Sequence, residues 1–125
     1  MTKAKKKILI VDDEYYLTET LKLRLEFLGY EVLTAENGAE SLEVLKANPV
    51  DLVVMDVLMP VMDGLEATAK IKKTDKTKKI PVLVLTAKAQ PKDKAEAFAA
   101  GADDYLTKPF ETDVFVSKVK KWTGT

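Results

Sequence analysis

The sequence contains neither cysteine nor histidine. Without cysteine there are no disulfides and no thiolate metal sites, which suits a reducing compartment. Without histidine there is no imidazole base for a serine- or cysteine-type triad and no His-ligated zinc. Any chemistry falls to carboxylates, hydroxyls and lysines. Net charge is missing too: 20 Lys+Arg balance 20 Asp+Glu, so charge gives no pointer to a nucleic-acid partner. The basic opening MTKAKKK is followed by only four apolar residues, too few for a signal peptide or a membrane span. Residues 1–6 therefore read as a solvated leader, and a cytoplasmic protein with no membrane contact is expected. At 125 residues the chain has the size of one domain with a buried core.

Short apolar runs alternate with segments of helical spacing. The runs are ILIV (8–11), VLTA (32–35), LVVM (52–55), VLVL (82–85) and, more weakly, YLT (105–107). Helical segments fall at 14–28, 38–47, 64–73, 91–100 and 111–122. Five strands alternating with five helices predict right-handed crossovers and a parallel α/β sheet covered on both faces. The almost wholly aliphatic runs agree, since such a sheet is buried on both sides. Punctuation falls between the elements. Gly29 and Gly101 suit positions just past a helix, Asn37-Gly38 marks a turn, Asn48-Pro49 closes a helix, and Pro91 fits a first helical turn.

Ligands of open parallel sheets bind beyond the carboxyl ends of the strands. Those ends carry Asp12 and Asp13 after the first strand, Asp56 after the third, Thr86 after the fourth and Lys108-Pro109 after the fifth. Each has an ordinary explanation: Asp12 or Asp13 as a helix cap, Asp56 as a turn acid, Thr86 as a strand or capping residue, Lys108 as a surface lysine. Holding all of them at once is the harder position, because all face one crevice. Two carboxylates about 4 Å apart repel by roughly 4 kcal/mol at an effective dielectric near 20, so the cluster must keep protons or take a cation. All-oxygen ligands with room for water suit Mg²⁺ better than zinc or copper. Asp56, alone at its strand end, is the candidate nucleophile for an acyl phosphate. Asp12 and Asp13 would be metal ligands, and Thr86 and Lys108 would hold phosphoryl oxygens.

VDD (11–13), MD (55–56) with MPVMDG (59–64), LTA (85–87) and LTKPF (106–110) together resemble a response-regulator receiver domain, over about residues 7–122. The resemblance implies a flavodoxin-like (βα)5 fold of strand order 2-1-3-4-5, as one receiver domain over 1–125. It implies that Asp56 accepts a phosphoryl group from the phosphohistidine of a sensor histidine kinase or histidine phosphotransfer protein. It also implies Mg²⁺ held by Asp13 and Asp56, with Asp12 assisting and the backbone carbonyl of Leu58 contributing. Thr86 and Lys108 would sense the phosphoryl group, and Tyr105 would be the switch aromatic that moves inward as Thr86 approaches the phosphate. Lys108-Pro109 is a candidate cis bond. Leu58 and Lys88 occupy positions that tune phosphoryl lifetime in the family.

The chain stops soon after its fifth helical segment, so the expected output is a protein contact through the fourth helix, fifth strand and fifth helix. Either a single-domain regulator or a piece of a longer one would end there. No direct nucleic-acid contact and no turnover enzyme are expected. In the first helix, Leu17, Leu21, Leu25 and Leu28 fall within about 80° of one another, predicting its core stripe. Tyr16, Leu23 and Phe27 cluster on another face and are a candidate docking patch for the kinase partner. Two rivals remain. A haloacid-dehalogenase-like phosphatase also uses an aspartyl nucleophile, but its second Asp would stand where this chain has Leu58. A flavodoxin-like cofactor binder would need a phosphate cradle, and the acids after the first strand would repel a flavin phosphate.

Overall fold

The computed structural model describes residues 5–125; of the predicted leader, residues 1–4 lie outside the described residues. Ten elements alternate along the chain: β1 (Lys7–Val11), α1 (Tyr15–Phe27), β2 (Glu31–Ala35), α2 (Gly38–Ala47), β3 (Leu52–Met55), α3 (Gly64–Lys73), β4 (Val82–Thr86), α4 (Pro91–Ala100), β5 (Asp104–Thr107) and α5 (Thr112–Thr123). The strands form one parallel sheet in the order β2-β1-β3-β4-β5. β1 pairs in register with both β2 and β3, Val11 facing Ala35 on one side and Met55 on the other.

Strand alternation divides the core in two. One face of the sheet sends Leu9, Val11, Val53, Met55, Val82 and Val84 against Leu45 of α2, Ala67 and Ile71 of α3 and Ala97 of α4. The other sends Ile8, Ile10, Leu52, Val54, Leu83 and Leu85 against Leu21 and Leu25 of α1 and Phe115, Val116 and Val119 of α5. β3 and β4 are buried at every residue. The aliphatic runs follow from this burial on both faces.

Local chemistry sets the element ends. The Asn37 side chain accepts from the Glu40 N–H at the start of α2, and Asp63 accepts from the Glu66 N–H at the start of α3. Gly101 closes α4 in the left-handed region at φ 111°. The stripe of α1 is rotated from the predicted one: Thr18, Leu21 and Leu25 are buried, whereas Leu28 is 36% exposed. Leu28 is the C-cap of α1, its N–H bonded to the Arg24 and Leu25 carbonyls, and the stripe runs out there as the chain turns at Gly29. Among the described residues no helix is long and apolar enough to cross a membrane.

Candidate functional site

Parallel pairing of β1 and β3 aligns Val11 with Met55, so Asp12 and Asp56 follow side by side, tied by the Asp56 N–H donating to the Val11 carbonyl at 2.9 Å. One carboxylate oxygen from each of Asp12, Asp13 and Asp56 lies within 4.8 Å of the others. Asp12 and Asp56 are each only 4% exposed, while Asp13 is exposed at the mouth. Neither Asp12 nor Asp13 caps α1, whose N-cap is Glu14 with no side-chain cap bond; Asp12 Oδ1 instead accepts from the Glu14 N–H at 2.9 Å and fixes the turn ahead of the helix. Its other oxygen faces the crevice.

Lys108 reaches this cluster from the end of β5, where its own N–H donates to the Thr86 carbonyl. Its ammonium stands 2.8 Å from Asp12 Oδ2, 3.2 Å from Glu14 Oε1 and 3.6 Å from Asp56 Oδ2. Burial favours the neutral amine, but these carboxylates, Asp12 foremost, outweigh it and hold the ammonium above its ordinary pKa. Asp56 shows the converse. Burial, and then the Asp12 charge, push its carboxyl up to about 6, against the pull of Lys108 and of the Val57 and Leu58 N–H groups. The Lys108-Pro109 bond is cis, as the resemblance suggested.

Thr86 ends β4 fully buried, its hydroxyl oxygen accepting a long 3.4 Å bond from the Lys88 N–H. Tyr105 is also buried, and its hydroxyl donates to the Lys88 carbonyl. The phenol is thus packed against the loop after β4. Leu58 sits on the exposed lip of the crevice. Tyr16, Leu23 and Phe27 project from α1 at 86, 66 and 83% exposure, one apolar stripe running along the helix away from the acid cluster.

Two residues the sequence reading did not single out shape the loop from β3 to α3. A Cβ on Gly64 would lie 1.9 Å from the Asp56 carbonyl oxygen, so only glycine lets α3 begin against the backbone of Asp56; the Asp-Gly dipeptide was the available signal. Val61 has φ 69°, with Met62 N–H donating back to the Pro60 carbonyl at 2.8 Å. That is a γ-turn of the rare positive-φ kind around a β-branched residue, a strained arrangement at the crevice lip. Nothing in the sequence advertises it.

Chemically, the cluster is a cup of hard oxygen donors with one ammonium as counter-charge. Such a donor set fits a small divalent cation such as Mg²⁺.

The family model described as response regulator receiver domain matches residues 8–120. The chain is 39% identical to the phosphate regulon transcriptional regulatory protein PhoB of Pseudomonas aeruginosa over 92% of its own length and 50% of that protein. It spans about half the length of the curated relatives it matches. Among solved structures, chemotaxis response regulator CheY4 of Vibrio cholerae superposes with a TM-score of 0.90 at 33% identity, covering 95% of this chain and 99% of that one. The receiver domain of sensor histidine kinase PA1611 from Pseudomonas aeruginosa, described with a magnesium ion coordinated in its active site cleft, gives 0.89 at 30% identity, covering 98% and 100%.

Proposed function

Since the chain belongs to the response regulator receiver domain family of two-component signalling, we propose that it works as a single receiver domain over 1–125 whose Asp56 is the phosphoacceptor. The observation that carries this reading is the placement of Asp56: buried at a strand end, beside Asp12 and Asp13, with the Lys108 ammonium 3.6 Å away. An Asp56 carboxylate oxygen forms the bond to phosphorus as the phosphorus–nitrogen bond of a phosphohistidine donor breaks. The bonding pair leaves with the imidazole, which takes up a proton. Asp13 and Asp56, helped by Asp12 and the Leu58 carbonyl, would hold Mg²⁺, whose charge offsets that of the phosphoryl oxygens. Lys108 pairs with one phosphoryl oxygen and the Thr86 hydroxyl with another. Tyr105 and Thr86 share the loop after β4 through Lys88, which supports their role as the switch pair.

The donor is a sensor histidine kinase or histidine phosphotransfer protein. Its docking surface is the α1 stripe of Tyr16, Leu23 and Phe27. Output is a protein contact through α4, β5 and α5, in the cytoplasm. PhoB is named as a transcriptional regulatory protein and is about twice as long; for the residues described here we assign protein contacts and no direct nucleic-acid contact. The chain promotes its own phosphorylation and dephosphorylation and is not a turnover enzyme.

Intact mass after incubation with acetyl phosphate and Mg²⁺ tests this. One labile phosphoryl adduct should form on the parent and none on Asp56→Asn; an adduct of equal yield on the variant overturns the assignment. Replacing Leu23 and Phe27 by Ser should slow transfer from a kinase at least about tenfold, as loss of interface anchors does, and leave acetyl phosphate labelling unchanged. Equal loss in both assays would remove the docking role.

A further inference from the structure

A second site lies at the opposite pole of the molecule. Each helix runs antiparallel to the strands, so the last turns of α2 and α3 meet at the amino ends of the strands. Between them is an open cleft of about 350 Å³ lined by Leu42, Leu45, Lys46, Lys70, Lys73 and Lys76, with Thr74 and Thr77 completing the wall. Half-buried Leu42 is its apolar floor, with Leu45 almost wholly buried beneath, four lysines line it, and no acid is among the lining residues. The segment from 70 to 79 holds six lysines and one aspartate in a chain whose net charge is zero.

Helix ends explain only part of this charge. Cations near the last carbonyls of a helix are favourable, and Lys76 acts in that way, its Nζ donating to the Lys46 carbonyl of α2; Lys72 Nζ is taken up by Asp103 and by the Ile80 carbonyl before β4. Lys46 also pairs with Glu43. Lys70 and Lys73 are surplus. No carboxylate comes within 4.0 Å of either, or of Lys76, among the described residues.

We propose that the lysine-rimmed α2–α3 cleft is a docking site for an acidic polypeptide segment that presents one apolar side chain to Leu42 and the lysine stems around it. Charge complementarity selects an anionic partner, and the concave apolar floor selects its class. A bilayer would need a protruding apolar wedge, yet the large exposed apolar side chains sit at positions 15, 16, 23, 27, 28, 58, 61, 98 and 114, none of them beside the cleft. A nucleic-acid backbone satisfies the lysines and leaves the leucine floor uncovered. A peptide with Asp and Glu flanking a Phe or Leu satisfies both.

The probe is a blocked peptide in which Asp and Glu flank a single Phe, titrated into isotope-labelled protein and followed by amide chemical shifts. Saturable shifts are expected at 42–46 and 70–77. Lys70→Glu with Lys73→Glu should weaken binding at least about tenfold, as reversal of interfacial charge does, with an unchanged melting temperature. The corresponding double Gln variant should fall between. Changing the peptide's Phe to Ser should also weaken binding. Absence of binding, shifts centred elsewhere, an indifferent double Glu variant, or equal binding of the Ser peptide would each overturn the proposal. So would tighter binding at the cleft by duplex DNA or anionic vesicles of matched charge.

Discussion

Asp12, Asp13 and Asp56 pull in two directions: their proximity makes the cup, and it also strains the cup against itself. Lys108 offsets part of the repulsion but reaches Asp12 and Glu14 more closely than Asp56. In metal-free buffer at neutral pH, Asp13→Ala should therefore raise stability by about 1 kcal/mol, and Asp56→Ala by somewhat more because that carboxylate is buried. Magnesium at about a hundred times its Kd should add about 2.7 kcal/mol to the parent and much less to either variant. Chemical denaturation with and without the ion reads both effects, and a destabilised variant would contradict the repulsion argument. The acids themselves were legible because open parallel sheets gather function at strand carboxyl ends. Gly64 and Val61 were not singled out, because a backbone-to-backbone approach and a positive φ depend on how two segments meet in space.

At the scale of elements, β5 and α5 are joined by Asp104. Its carboxylate accepts from Trp122 Nε1 at 2.8 Å, from Lys118 at 3.0 and 3.1 Å, and from the Tyr105 N–H. Burial alone would raise its pKa, but these bonds, that of Trp122 foremost, outweigh it and hold the carboxyl below its usual value. A carboxyl depressed by folding stabilises the fold above its unfolded pKa, near 4, and loses that contribution as pH falls through its folded value. Asp104→Asn should cost about 1.5–3 kcal/mol at neutral pH, the range for bonds to a charged group. The gap from the parent should close on acidification below about pH 4. Urea melts across pH test this, and a gap that persists into acid would refute it. Strand and helix boundaries were readable to within a residue, since aliphatic runs, caps and glycines agree locally. The α1 stripe was misjudged at Leu28, because periodicity cannot tell where a helix stops.

At the scale of the molecule, a net charge of zero conceals an arrangement. Three acids meet at the carboxyl ends of the strands, and four lysines line the cleft between α2 and α3 at the other pole. Composition could report the balance and not its separation, which arises only when helices antiparallel to the sheet bring their last turns together. The fold class followed from alternation alone, and the strand order, carried by the family resemblance, is the one observed.

The missing side chain at Gly64 has a mechanical consequence. With no Cβ between them, the first turn of α3 rests directly on the carbonyl of Asp56, so the contact has no rotamer to absorb a displacement. The helix is ten residues long, a stiff rod of about 15 Å, and its far end carries Lys70 and Lys73. A tilt of that rod at the crevice would carry Lys70 and Lys73 with it.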